Sequence, residues 1–406
     1  MKTTPFFLLF ILLNQAIYCQ DNFKESIDRL ANQYVSEKNN RALVIGLINK
    51  EGDVFYTYGE TEKGNGIKAD QASLFEIGEV SSVFTTSLLS VLASENSLDL
   101  NDPVQNYFPG HVNIPVYTEI ICEPIEKPHY STESPNHTAY YCFADPSYHP
   151  KQMLLCDLAT NTSGLPPYPS KVDSRQKEVN TYSNFSLSAL YEFLNKYQTS
   201  YPTGLHYDFS PLGIAMLGNG LAWKYNKEYE KLLREKLLDP LQMQNTFLDK
   251  PAYSSTTFLQ GHDKKGNKVV AGAFGSLSPA LGLHSNAIDL AAFLRVNLNL
   301  TKSSIQLPVA NTANPRVAIT DTKKLQGSYA GLGWTISPIP GNSTVRMTWQ
   351  QGKTYGFAAY VGFIGEQQQG VVILSNSVSD LDKIGQEILS LMSVQKTNAS
   401  QQTINH

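Results

Sequence analysis

Gly78-Glu79-Val80-Ser81-Ser82 stands at the head of an apolar run through Leu88, Leu89, Val91 and Leu92. Helix positions three apart share a face, so Glu79 and Ser82 pair a carboxylate with a hydroxyl. Two chemistries fit that pairing. In one, Ser81 or Ser82 is a nucleophile with Glu79, Tyr207 or Lys353 as its base. In the other, Glu79 complements the positive end of a helix and the serines cap its backbone N–H groups. No cation adjoins Glu79 in the sequence, and a carboxylate is itself a weak nucleophile toward amides. Two further segments bear on the choice. Phe209-Ser210-Pro211 offers one hydroxyl between a ring without an oxygen and a residue without an N–H. Gln350-Gln351-Gly352-Lys353 offers two neutral amides and a lysine, and along a strand Gln350 and Lys353 face opposite ways.

These groups need a scaffold of both helices and strands. Asn22 to Glu37 is apolar at Phe23, Ile27, Leu30 and Tyr34, the spacing of an amphipathic helix. Arg41 to Asn49 and Val54 to Tyr58 are rich in strand formers across Lys50-Glu51-Gly52-Asp53, which predicts a hairpin. The run after Ser82 is apolar on nearly every face and predicts a buried helix. Ser186 to Tyr197 and Lys227 to Leu238 read as helices, and Gly331-Leu332-Gly333-Trp334 as the opening of a closing sheet. Phe357 to Ile364 and Gly370 to Leu374 read as a second hairpin. Asp380 to Met392 reads as a final packing helix, and the tail from Ser393 as polar and frayed.

The order of motifs resembles the serine β-lactamase and penicillin-binding-protein superfamily. Phe75 to Thr86 is similar to its nucleophile segment F-x-x-G-S-x-S-K-x-F-T, with Glu79 at the serine and Ser82 at the lysine. Leu98-Asp99-Leu100-Asn101-Asp102-Pro103-Val104, Thr160 to Pro166, Pro202-Thr203-Gly204, Pro240-Leu241-Gln242-Met243 and Ala280 to Ser285 resemble later family passages. The family's Tyr-x-Asn falls on Phe209-Ser210-Pro211, and its Lys-Thr-Gly or His-x-Gly on Gln350-Gln351-Gly352. A literal Tyr182-Ser183-Asn184 lies well before Pro202 and reads as a chance match.

The resemblance implies an α/β (α+β) fold. An antiparallel sheet flanked by N- and C-terminal helices (about 22–75 and 270–392) is joined to a mostly helical second domain (about 76–269). It also implies an oxyanion hole made by the N–H groups of Glu79 and Lys353, with Glu79, Ser210, Gln350 and Lys353 as binding residues. All three catalytic motifs have lost their proton-transfer groups. The expectation is therefore a catalytically lost relative that binds a peptide, glycan, cell-wall fragment or protein. The alternative is an active serine hydrolase with a rearranged site at Ser81 or Ser82.

Composition narrows the setting. The chain has 406 residues and a net charge of −4, with no basic stripe for nucleic acid. Lys2, an apolar run from Phe6 to Leu13 and a short polar stretch to Cys19-Gln20 have the layout of a secretory leader over residues 1–19. That implies a secreted or periplasmic protein. No segment is long and apolar enough to predict a membrane span. Cys122 and Cys142 flank a Pro-, Tyr- and His-rich insertion at about 116–150 and are the expected disulfide; Cys156 is expected as a buried free thiol. His129, His137 and His149 lack regular ligand spacing with the cysteines, so neither a metal nor another cofactor is expected. The insertion's tyrosines suit a contact surface for a protein partner.

Overall fold

The computed structural model describes residues 23–124, 140–169, 182–248, 258–320 and 322–404, the last ten of these by backbone alone. The leader-like segment and the middle of the insertion lie outside them. Helix α1 covers residues 23–36. The hairpin forms as expected, with β1 at Leu43–Asn49 and β2 at Gly52–Tyr58. The other strands of the main sheet are β3 Val317–Ile319, β4 Ser328–Ala330, β5 Thr335–Ile339, β6 Asn342–Lys353, β7 Ala358–Ile364 and β8 Gln369–Ser375. They make one eight-stranded sheet in the order β2-β1-β8-β7-β6-β5-β4-β3. Every neighbour pair in it is antiparallel.

Alternation along the central strands divides the core. Leu43, Ile45, Tyr360, Val371 and Ile373 pack with Ile27, Ala31 and Tyr34 of α1. Ile388, Leu389 and Met392 of the last helix, α6 (Asp382–Ile404), join them on that face. Val44, Val361, Phe363, Val372 and Leu374 point the other way, into the helical layer. That layer contains α2 (Ser81–Ser94), α3 (Leu187–Leu194), α4 (Pro211–Lys224) and α5 (Ala287–Asn297). Helix α2 is buried on all sides through Leu92, as its unbroken apolar character predicts. Phe84 stacks on Phe293 of α5 at 4.5 Å between ring centroids, and burying such a side chain is worth roughly 1.5–3 kcal/mol.

Some expectations are corrected. The closing sheet begins at β3 and β4, before Gly331; these three-residue edge strands are too short to show a period in sequence. Lys227 to Leu238 is a short α-helix, Tyr229–Leu233, continued by a π-helical turn at Arg234–Leu238. Helix α6 continues to Ile404 instead of fraying at Ser393, which is itself buried and accepts a hydrogen bond from the Gln367 amide. Cys122 and Cys142 form the expected disulfide, joining an exposed hairpin of Ile120–Pro124 and Tyr140–Ala144. Cys156 is free but half-buried, not buried.

Candidate functional site

Two glycines set the site's geometry. A 3-10 turn at Gly78–Val80 feeds α2, and Gly78 has φ +52°. A Cβ on Gly78 would lie 2.6 Å from the Lys353 nitrogen, and one on Gly352 would lie 2.0 Å from the Ile77 oxygen and 2.7 Å from the Glu79 nitrogen. Only residues without side chains allow backbones this close. The approach brings the end of β6 against the start of α2, and with it the N–H groups of Glu79 and Lys353.

The Glu79 carboxylate sits on those donors. The Lys353 N–H donates to Oε2 at 2.7 Å, and the Glu79 N–H bonds to the same carboxylate. The Tyr168 hydroxyl donates to Oε1 at 3.2 Å. Glu79 stands in the first turn at the helix's positive end, and neither the 3-10 turn nor α2 has a side-chain cap, from the serines or from Glu79. Glu79 reaches across to the strand, and its carboxyl lies on the donors that the resemblance expects to form an oxyanion hole. Burial raises its carboxyl above the usual glutamate range, against the pull of the Lys353 N–H, its own N–H and Tyr168.

The alternative nucleophiles point elsewhere. Ser81 Oγ accepts the Leu283 N–H at 3.0 Å, and Ser82 Oγ donates to the Ala280 carbonyl at 3.4 Å. Both serines are almost fully buried in the helical layer, and neither lines the cavity described below. Both hydroxyls are engaged inside the helical layer, away from the cavity.

Two expected binding residues make hydrogen bonds within the scaffold, and one of them, Gln350, also lines the cavity described below. Ser210 caps α4: its Oγ accepts the Gly213 N–H at 3.0 Å and donates to the Pro166 carbonyl at 2.8 Å. Pro211 is the first residue of that helix, where a missing N–H does no harm. Gln350 is buried; its Nε2 donates to the Gly333 carbonyl at 2.9 Å and its Oε1 accepts the Gln351 N–H. Lys353 contributes its backbone, while its ammonium pairs with Asp380 at 3.1 Å. Its side chain therefore parts from that of Gln350, as the strand period predicts.

Beside Glu79 opens a cavity of about 400 Å³, whose walls include Tyr207, Phe209, Trp349, Gln351 and Asp382. The β5–β6 pairing ends at Thr335 and Trp349, and from Gln350 to Lys353 strand β6 pairs with β7. The cavity lies along this end of β6. Tyr207 lines the cavity, and its hydroxyl bonds to Thr335.

Sequence reasoning missed three residues. Tyr168 holds the Glu79 carboxylate, and Tyr182 stacks on Tyr168 with ring centroids 5.3 Å apart. Burial pushes the Tyr182 hydroxyl up to about 12, with Tyr355 and Glu79 adding to it. The literal Tyr182-Ser183-Asn184 was the available signal for this neighbourhood. The third, Asp382, lies in a helix start far along the chain and carried no motif.

Comparison with known proteins agrees with this architecture. A sequence profile described as Beta-lactamase matches residues 27–389. A beta-lactamase of Pseudomonas fluorescens is 23% identical over 385 residues, covering 87% of this chain and 94% of the relative. A beta-lactamase of Providencia stuartii is 24% identical, covering 91% of each chain. Among solved structures, the class C beta-lactamase from Rhodobacter sphaeroides superposes with a TM-score of 0.70 at 19% identity, covering 90% of this chain and 98% of that one. The octameric penicillin-binding protein homologue from Pyrococcus abyssi gives 0.72 at 19% identity, covering 91% and 77%.

Proposed function

The chain belongs to the beta-lactamase family, and from that premise we propose that it acts by binding a ligand in the old acyl-transfer cavity and not by acyl transfer. The observation that carries this reading is the Glu79 carboxylate on the N–H groups of Glu79 and Lys353. Acyl transfer needs those donors free for a developing oxyanion and a hydroxyl poised beside them. Here the donors serve an internal carboxyl group, and no serine is among the described residues lining the cavity. The ligand is a peptide, glycan or cell-wall fragment. It is met outside the cytoplasm, a setting supported by the leader-like residues 1–19 and by the Cys122–Cys142 disulfide, which persists in oxidising compartments. The exposed hairpin carrying that disulfide is the surface offered to a protein partner.

Intact-mass analysis after incubation with a fluorophosphonate and with penicillin tests the reading. The expected result is an unmodified chain in both cases. A stoichiometric adduct mapped to Ser81 or Ser82 overturns it.

A further inference from the structure

One wall of the cavity gathers buried acceptors that have no well-placed donor. Oε1 of Gln351 and Oγ1 of Thr322 are buried without a hydrogen-bond partner, and neither carboxylate oxygen of Asp382 has a donor in good hydrogen-bond geometry, its nearest partners being the Gln351 side chain and Lys324. All three residues line the cavity. Buried polar atoms in folded proteins are nearly always paired, and a bare carboxylate is among the most unfavourable exceptions. Asp382 is only 8% exposed. The Lys324 ammonium stands 4.0 Å from it, beyond hydrogen-bonding reach, on a side chain 83% exposed. Glu79 and Asp208 add negative charge around the same space, and Phe209 and Trp349 add aromatic rings. The other lysine of the lining, Lys353, turns its ammonium to Asp380.

We propose that this cavity binds a primary ammonium or guanidinium group carried on a small apolar body, with Asp382 as the counter-ion. The inference rests on the binding reading above and names its ligand class. A carboxylate and an amide oxygen can only accept, and a threonine hydroxyl can also accept, so the wall calls for several donors on one group. A charged N–H donor meets a buried carboxylate more strongly than a neutral one. The rings suit the apolar body and favour a cation over an anion. A volume of about 400 Å³ accommodates a ligand of one ring and a short chain.

Isothermal titration calorimetry of the full chain with benzylammonium, benzyltrimethylammonium and benzyl alcohol separates these terms. Benzylammonium is expected to bind, the quaternary analogue more weakly because it has no N–H, and the alcohol least. Asp382→Asn is expected to weaken benzylammonium roughly tenfold or more, since a charged hydrogen bond becomes a neutral one. The ligand series on the unaltered chain stands even if that variant folds poorly. Equal affinity for the alcohol and the ammonium, no heat from benzylammonium, or unchanged affinity in folded Asp382→Asn each overturns the proposal. A covalent adduct in the mass experiment overturns the binding reading alone, so the two failures are distinguishable.

Discussion

Replacing Asp382 by asparagine changes stability with a sign that follows from its surroundings. Burial, and then neighbouring Asp380, push the Asp382 carboxyl from 3.8 up to about 6, against weaker pulls from Lys324, Lys353 and Gln351. Tyr360, buried on β7 against the helix that Asp382 begins, is its neutral neighbour. Below pH 3.8 the group is protonated in both folded and unfolded chains and makes no difference. As pH rises toward 6 the unfolded chain gives up the proton first, so native stability falls until the folded carboxyl has ionised too. The shift of about two units corresponds to roughly 3 kcal/mol, and partial solvent access trims this to about 2–3 kcal/mol. Asparagine keeps the shape and removes the titration. Asp382→Asn should therefore match the parent near pH 4 and melt roughly 3–4 °C higher at pH 8, given the large unfolding entropy of a chain this long. Differential scanning calorimetry at the two pH values measures it. A variant less stable than the parent at pH 8, or an equal difference at both values, refutes the reasoning.

Two further predictions address the meeting of α2 and β6. Glu79→Ala should accelerate hydrogen exchange at the Lys353 amide by roughly 10–100-fold, the equivalent of one charged hydrogen bond; unchanged protection would mean that the carboxylate does not occupy that donor. Gly352→Ala places a Cβ 2.0 Å from the Ile77 oxygen and should destabilise the fold by about 3 kcal/mol or more, read from a thermal melt. A parental melting curve would refute the close approach.

The scaffold was legible where chemistry repeats. Runs of strand formers broken by turn residues gave the β1–β2 and β7–β8 hairpins, and the all-round apolar run gave α2. The edge strands β3 and β4 were not legible, because three residues carry no period. The losses at Glu79, Phe209 and Gln350 could be read from motif positions alone. Where Glu79 points could not. A charged residue at a helix start is most simply a cap, and only the close approach of Gly78 and Gly352 shows that the strand's N–H is nearer. The same limit hid Tyr168 and Asp382. Both enter the site through long-range packing, and neither belongs to a pattern that local sequence can express.

On the proposed binding reading, the retained backbone explains why the cavity survives the changes at Glu79, Phe209 and Gln350. An oxyanion hole built from main-chain N–H groups persists as long as the glycines hold α2 against β6, whatever side chain follows. Left empty and shielded from water, those donors would be unsatisfied. The Glu79 carboxylate satisfies them, at the expense of its own hydration, and Tyr168 offsets part of that. A carbonyl arriving from outside must displace a carboxylate already held by the Lys353 N–H at 2.7 Å. At about 1.5–3 kcal/mol for that one hydrogen bond, the handicap is roughly 10–100-fold in occupancy. A ligand therefore gains little by presenting a carbonyl to this end of the cavity. On the proposal above it gains more at the other wall, where Gln351 and Thr322 have unpaired acceptors and Asp382 is held only weakly by Gln351 and Lys324.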